Sequence, residues 1–458
     1  MSEPGTQDLE RLIRTRDWER LRSELARLRP FDLAAELTRL PTTEQAIAFR
    51  LLPKDLALST FEALDPPVQG ALLSGLREDS VRELFANLTP DDRVELLDEL
   101  PAKVVHRLLA QLSPHERLMT TGLLGYPPEA VGRVMSPEYV TLKATMTAAE
   151  ALERVRQRGA EAETVYTLPV VAEDRRLIGI TSLRRLVLAD PEVSVATLMS
   201  DPIAAPALSD QESAARLLQA AGLLALPIVD AEDRLLGVFT VDDAMAVLEG
   251  ADTEDAARIG GSEPLRRPYL VASVTQIARS RAVWLLVLAA TGALTVLVLD
   301  AFERELATVV ALTLFVPLLI GTGGNAGAQA ASTVIRAIAV GEVQFRDLLR
   351  VVAREGQVGL LLGAMLSAVA FPVTTTFLTL RGDPLDDAAR IALVLSLSLL
   401  GICTLAATSG AVMPVLAARV GIDPAVVSSP LITTVVDAGG LVIYLLIAKM
   451  ILADMIGG

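Results

Sequence analysis

The sequence predicts a multidomain integral membrane protein: an all-α N-terminal domain, an α/β tandem pair, a connecting helix and a five-helix transmembrane domain. Three observations carry that prediction. Leucine-rich segments are punctuated by prolines between Pro30 and Pro114, one motif occurs twice between Leu168 and Met245, and long apolar runs begin after Arg281. The expected domains are residues 1–130, 131–250, 251–281 (acidic linker and connecting helix) and 282–458.

The N-terminal prolines recur at short intervals, which suits the first turn of a helix, and the runs between them carry leucines at helical spacing. In LTPDDRVELLDELPAKVVHRLLAQLSPHER, Leu96, Leu97 and Leu100 share an inward face, and Asp91 and Asp92 stand at a helix start. Helices of about 8 to 10 residues, packed as a small right-angled stack or superhelix, follow. The extreme N-terminus has no apolar stretch of the secretory kind, so the front half is expected in the cytosol.

LPVVAEDRRLIGITSLRRLV, from Leu168, recurs as LPIVDAEDRLLGVFTVDDAM, from Leu226, and Met135-Ser-Pro recurs loosely as Met199-Ser-Asp-Pro. Each copy reads as strand, polar turn, strand and helix. These residues resemble a tandem pair of CBS domains over about residues 134–249. The resemblance implies an adenosine nucleotide, ATP first, in a cleft between the copies. There an Asp three residues after Ser or Thr accepts from the ribose; Thr240 and Asp243 occupy those positions in the second copy. The first copy has Ser182 and Arg185, so at most one good nucleoside site per chain is implied. Without the resemblance, Thr240 and Asp243 equally suit the start of the next helix.

Asp252, Glu254 and Asp255 then form an acidic cluster, and residues 270–277 are expected as a helix leading into the membrane, either a connector that transmits movement or a solvated linker. Five apolar runs can each cover the roughly 20 residues a spanning helix needs: 282–299, 306–340, 358–380, 389–420 and 430–453. The second is too long for one straight span and contains a Gly-rich stretch. Arg279 and Arg281, then Arg336, Arg346, Arg350 and Arg354, then Arg419, mark the cytosolic loops, while 300–305 and 381–387 are acidic or mixed. A cytosolic N-terminus and an extracytoplasmic Gly458 follow. Trp284 reads as an interfacial anchor.

Of the 458 residues 52% are hydrophobic, which excludes a disordered chain, and the single cysteine, Cys403, excludes a disulfide scaffold. The net charge of −15 argues against nucleic acid as a partner. Past Arg281 there are 12 acidic and 9 basic residues against 44 and 32 before it, so the acidity belongs to the soluble half. His106, His115 and Cys403 form no nucleophile and base pair, and no enzyme class is expected.

An ionisable side chain deep in a bilayer is costly and marks function by default. Away from the ends of the runs the one carboxylate is Asp437, in PLITTVVDAGGLVIY, with Thr433 and Thr434 one turn before it and Gly439 just after. Such a helix must face protein or water and suits a cation path; a buried structural partner for Asp437 is the alternative. In PLLIGTGGNAGAQAASTVIRA the glycines permit close packing or unwinding, and Asn325 and Gln329 bring amides to membrane depth.

The order of domains, with GTGGNAGAQ in the second span and GIDPAVVSSPLITTVVDAGGLVIY running into the fifth, resembles the MgtE family of magnesium channels over nearly the whole chain. The resemblance implies a homodimer in the bacterial inner membrane, with its ion path on the two-fold axis. Asn325, Gln329, Thr433, Thr434 and Gly439 would line that path, and Asp437 from both protomers would face one Mg²⁺. This agrees with a small ion that keeps its water shell and is held by one or two carboxylates. The family closes its pore when cytosolic Mg²⁺ draws acidic faces of the soluble domains and the connecting (plug) helix together. Asp91, Asp92, Asp243, Glu254 and Asp255 match its regulatory ligands, whereas Gly222, Ala246 and Ala251 stand where acidic residues are expected, and Ser429 where Asn is usual. A coupled secondary transporter and a non-transporting membrane sensor are the competing readings.

Overall fold

The computed structural model describes residues 6–265, 269, 272–426 and 429–456. It divides into two compact units, Met1–Asp252 with Arg266–Ser273, and Thr253–Leu265 with Val274–Gly458.

From Thr6 to Leu124 the first unit is built of ten α-helices of 8 to 11 residues. Pro30, Pro66, Pro90 and Pro114 each open one, at the position where a missing N–H costs nothing. Leu33, Leu37, Leu72, Leu96 and Phe61 are fully or almost fully buried in the shared core. The last three of these prolines stand 24 residues apart. The same period governs three side chains that tie consecutive helices together. Gln69 Nε2 donates to the Phe61 carbonyl at 2.7 Å, Arg93 Nε to that of Phe85 at 3.0 Å, and Arg117 Nε to that of Leu109 at 2.8 Å. Each brings a side-chain donor to a last-turn carbonyl, where the regular helical ladder runs out; those of Phe61 and Leu109 also accept from Leu64 N and Leu112 N. The last six helices of the domain are thus three consecutive pairs, each tied by the same reach-back bond.

The tandem pair follows as two near-identical units. Thr167–Val171 pairs antiparallel with Leu177–Ser182, and Ala225–Val229 with Leu235–Thr240. Both ladders carry a bulge at the same place, between Val170 and Val171 and between Ile228 and Val229. The copies exchange their leading segments. Ser136 N donates to Val238 O at 2.8 Å and Ser200 N to Ile180 O at 2.9 Å. A Cβ on Gly237 would meet Met135 Cγ at 2.9 Å, and one on Gly179 would meet Met199 Sδ at 2.7 Å. The recurring Met and Gly are therefore two halves of one contact. Val94 and Leu123 of the helical domain share a core with Val131, which leads into the first copy, and with Leu226 and Phe239 of the second.

In the second unit five helices are long and apolar enough to cross a membrane. They are Val274–Ala301, Val316–Ala339, Leu348–Arg381, Leu385–Arg419 and Ser429–Ile451. The separate helix expected over 270–277 is replaced by an extension of the first membrane helix back to Val274, because its polar first turn continues the same helical register. Residues 270 and 271 lie outside the described residues. The over-long second run resolves into a short helix, Glu303–Thr308, a 3₁₀ segment, Val310–Phe315, and the spanning helix. Its Gly-rich stretch stays helical, so the glycines serve close packing. The first membrane helix has no buried residue and presents leucine, valine and alanine nearly all round, as a lipid-facing helix does.

Candidate cation sites

Asp437 lies near the middle of the fifth membrane helix and is half-buried. Its Oδ1 is sealed from solvent and has no hydrogen-bond partner among the described residues. Two cations of the membrane unit are engaged elsewhere: Lys449 Nζ donates to Glu305 Oε1 at 3.0 Å, and Arg390 binds Asp454 at 2.8 Å. The second and fifth membrane helices meet beside it. A Cβ on Gly324 would come within 2.7 Å of Thr433 Cγ2 and 3.7 Å of Asp437 Oδ1, so the absence of a side chain there lets the two helices close on the carboxylate. Thr434 donates to the Pro430 carbonyl at 3.0 Å, and Gly439 packs against Leu405.

Polar groups of the second membrane helix form a stripe that the chain itself does not cover. Gly321, Asn325, Gln329, Ser332 and Arg336, spaced by three or four residues, are exposed, while Gly323, Gly324, Gly327, Ala330 and Ala331 on the other side are buried. The Asn325 and Gln329 amides make no side-chain hydrogen bond within the chain among the described residues. Amide groups cannot be left to lipid, so this face belongs to water or to another protein surface.

A second acidic site gathers in the first unit. Asp91, 6% exposed, keeps Oδ1 buried and without a hydrogen-bond partner among the described residues. Burial pushes its carboxyl well above the usual range, and the charges of Asp243, Asp92 and Glu163 push in the same direction. Burial also raises Asp92, with Asp242 adding and a Thr89 hydrogen bond opposing. Asp243 is pushed up to about 7 by burial, helped by Asp242, Glu95 and Asp92, although the Thr240 hydroxyl donates to it. Glu95 reaches about 7 through burial and through Asp92 and Asp98. Arg93 is the one cation acting on Asp92 among the described residues, and carboxylates that outnumber their counter-charge this far are poised for a cation. Among the described residues no three acidic, histidine or cysteine side chains converge tightly enough to hold one bare ion.

Glu95, Asp242 and Glu163 were not among the expected ligands. Glu95 follows Asp91 by one turn on a single helix, a legible signal, and Asp242 adjoins Asp243. Glu163 is brought in only by the tertiary fold. The expected set is divided between the units: Asp91, Asp92 and Asp243 meet in the first, while Glu254 and Asp255 lie in the second, where Arg258 pairs with Glu254. Gly222, in place of an expected acid, has φ +63° and ends the helix Gln211–Ala221 through N–H bonds to Gln219 and Leu218, a conformation that favours glycine. Ala246 and Ala251 lie along the helix Val241–Ile259. The side chain of Ser429 lies outside the described residues.

These features define a polytopic cation-handling membrane protein with an acidic soluble assembly. Family profiles agree: a divalent cation transporter profile matches residues 316–447, an MgtE intracellular N domain residues 28–129, and CBS domains residues 131–192 and 195–250. The chain is 37% identical over 456 residues to the magnesium transporter MgtE of Thermus thermophilus, covering 99% of each. It is 30% identical over 429 residues to that of Bacillus subtilis, covering 93% of each. A crystal structure of the cytosolic domain of the Mg²⁺ channel MgtE in complex with ATP is 35% identical, with a TM-score of 0.49, and matches 53% of this chain and 99% of that one. The chain belongs to the MgtE family of magnesium transporters.

Proposed function

We propose that the protein is a Mg²⁺-selective channel for magnesium uptake, working as a homodimer and closed by cytosolic Mg²⁺. The observation that carries this reading is Asp437: a carboxylate at membrane depth whose Oδ1 has no hydrogen-bond partner among the described residues, beside an exposed polar stripe on the neighbouring helix. A second copy of the chain across a two-fold axis would cover the stripe and bring two Asp437 carboxylates to one ion. Two carboxylates can hold hydrated Mg²⁺ without stripping its shell. Asn325, Gln329, Thr433 and Thr434 would accept from, or donate to, the shell waters, and the backbone at Gly439 lies open to them.

Regulation follows from the acidic cluster. Asp91, Asp92, Glu95 and Asp243 repel one another while ionised, so the compact arrangement of the first unit is favoured when Mg²⁺ neutralises them. Glu254 and Asp255 extend the same chemistry into the connector. Thr240 and Asp243 are the proposed contacts for ATP as a modulator, in competition with the role of Asp243 toward Mg²⁺. The N-terminus would be cytosolic and the C-terminus extracytoplasmic. The test is growth of a bacterial strain that depends on this protein for magnesium. The intact chain should support growth without added Mg²⁺ and Asp437→Ala should not; equal growth of the two removes the transport reading.

A further inference from the structure

The end of the helix Val241–Ile259 is clamped within the second unit by direct side-chain contacts. Arg258 pairs through one guanidinium nitrogen with Glu254 on its own helix, and through the other with Asp423 in the loop before the fifth membrane helix. Both side chains of the long-range pair are about one-third exposed or less, 26% and 32%. Asp423 is itself fixed, because its Oδ1 accepts from Ala425 N at 2.8 Å. The next residue, Ile259, packs into an apolar cluster with Ile335, Ala406, Ile432 and Val436. Ile432 and Val436 directly precede Thr433 and Asp437, respectively. Gly261, at φ +67°, lets the chain turn against Pro430, where a Cβ would approach within 2.9 Å. Glu263 then accepts from Trp284 Nε1 at 3.0 Å, and its N–H donates to the Ser280 carbonyl at 2.9 Å.

We propose that Arg258 is a tethered cation that latches residues 254–263 onto the membrane unit through Asp423, holding Ile259 beside the Asp437 helix without any divalent ion. The guanidinium stands between two carboxylates, the place a diffusible cation would otherwise have to fill. Being covalently attached, it remains there at any Mg²⁺ concentration. The consequence for regulation rests on the gating reading above: removal of Mg²⁺ alone does not fully free the connector, and the latch sets a residual bias toward closure.

The test is the rate at which a maleimide labels Ile259→Cys in the full-length protein in magnesium-free buffer, with buried Cys403 as the only native thiol. Arg258→Ala and Asp423→Asn should each raise the rate about two- to fivefold, the range of a partly exposed ion pair. The double variant should label no faster than the faster single variant, since both remove one interaction. Arg258→Lys should retain much of the protection, which separates charge from folding. Unchanged labelling in both single variants, or multiplication of their effects in the double variant, overturns the latch. Labelling does not require transport, so failure of the growth test above would leave this result standing, and the converse.

Discussion

At the scale of the residue, the membrane site turns on a glycine and a carboxylate. Asp437 was legible because a charged side chain interrupts an apolar run, and the cost of placing it there permits few explanations. What the sequence could not show is which surface of the second helix stays uncovered, because the periodicity of a helix apolar on several sides does not name its neighbours. At Gly324 an added Cβ would stand 2.7 Å from Thr433 Cγ2 of the fifth membrane helix. Gly324→Ala should therefore push Thr433 and Asp437 away, an overpacking cost of about 1–3 kcal/mol, and lower Mg²⁺ flux about tenfold in liposomes. Gly292→Ala, in the first membrane helix with nothing within 4 Å of the added carbon, should leave flux unchanged. Equal flux in both variants would detach this contact from conduction.

At the scale of the element, the short helices opened by prolines are legible in the sequence, since Pro at a first turn and leucine at helical spacing are local signals. The ties between those helices are not. Arg93 and Arg117 look like ordinary surface arginines in sequence, and only the structure shows that each reaches eight residues back to a helix end. Their environments differ: Arg93 is 4% exposed and also approaches Glu116 at 3.4 Å, whereas Arg117 is exposed. Truncation of a buried, charged donor costs more than that of a hydrated one. Arg93→Ala is expected to destabilise the domain by about 2 kcal/mol and Arg117→Ala by less than about 1 kcal/mol, read as shifts in a urea midpoint. The reverse order would mean that the repeat's bonds are not what ties the helix pairs.

At the scale of the whole molecule, the acidity of the soluble half acquires a location. Composition placed most of the negative charge before the membrane region, and local pattern offered Asp91, Asp92 and Asp243; Glu163 entered only because a tertiary fold juxtaposes distant segments. Asp243 and Glu95 titrate near 7 in the folded chain, above an unfolded carboxylate near 4. Between those values the folded state holds protons that the unfolded state has released, so in chelator the stability of this unit falls as pH rises from about 4 to about 7. Mg²⁺ should offset that loss where the carboxylates are ionised. Thermal unfolding should thus show a larger gain from Mg²⁺ at pH 8 than at pH 5; an equal gain at both would detach the cluster from cation binding.

The central claim, that Asp437 carries Mg²⁺ across the membrane, is tested most directly by Mg²⁺ influx into liposomes holding the purified full-length protein or its Asp437→Asn variant. With both proteins eluting as the same folded species in detergent, the account predicts influx for the intact chain, and for the variant a rate no higher than that of empty liposomes. Undiminished influx through Asp437→Asn would contradict it.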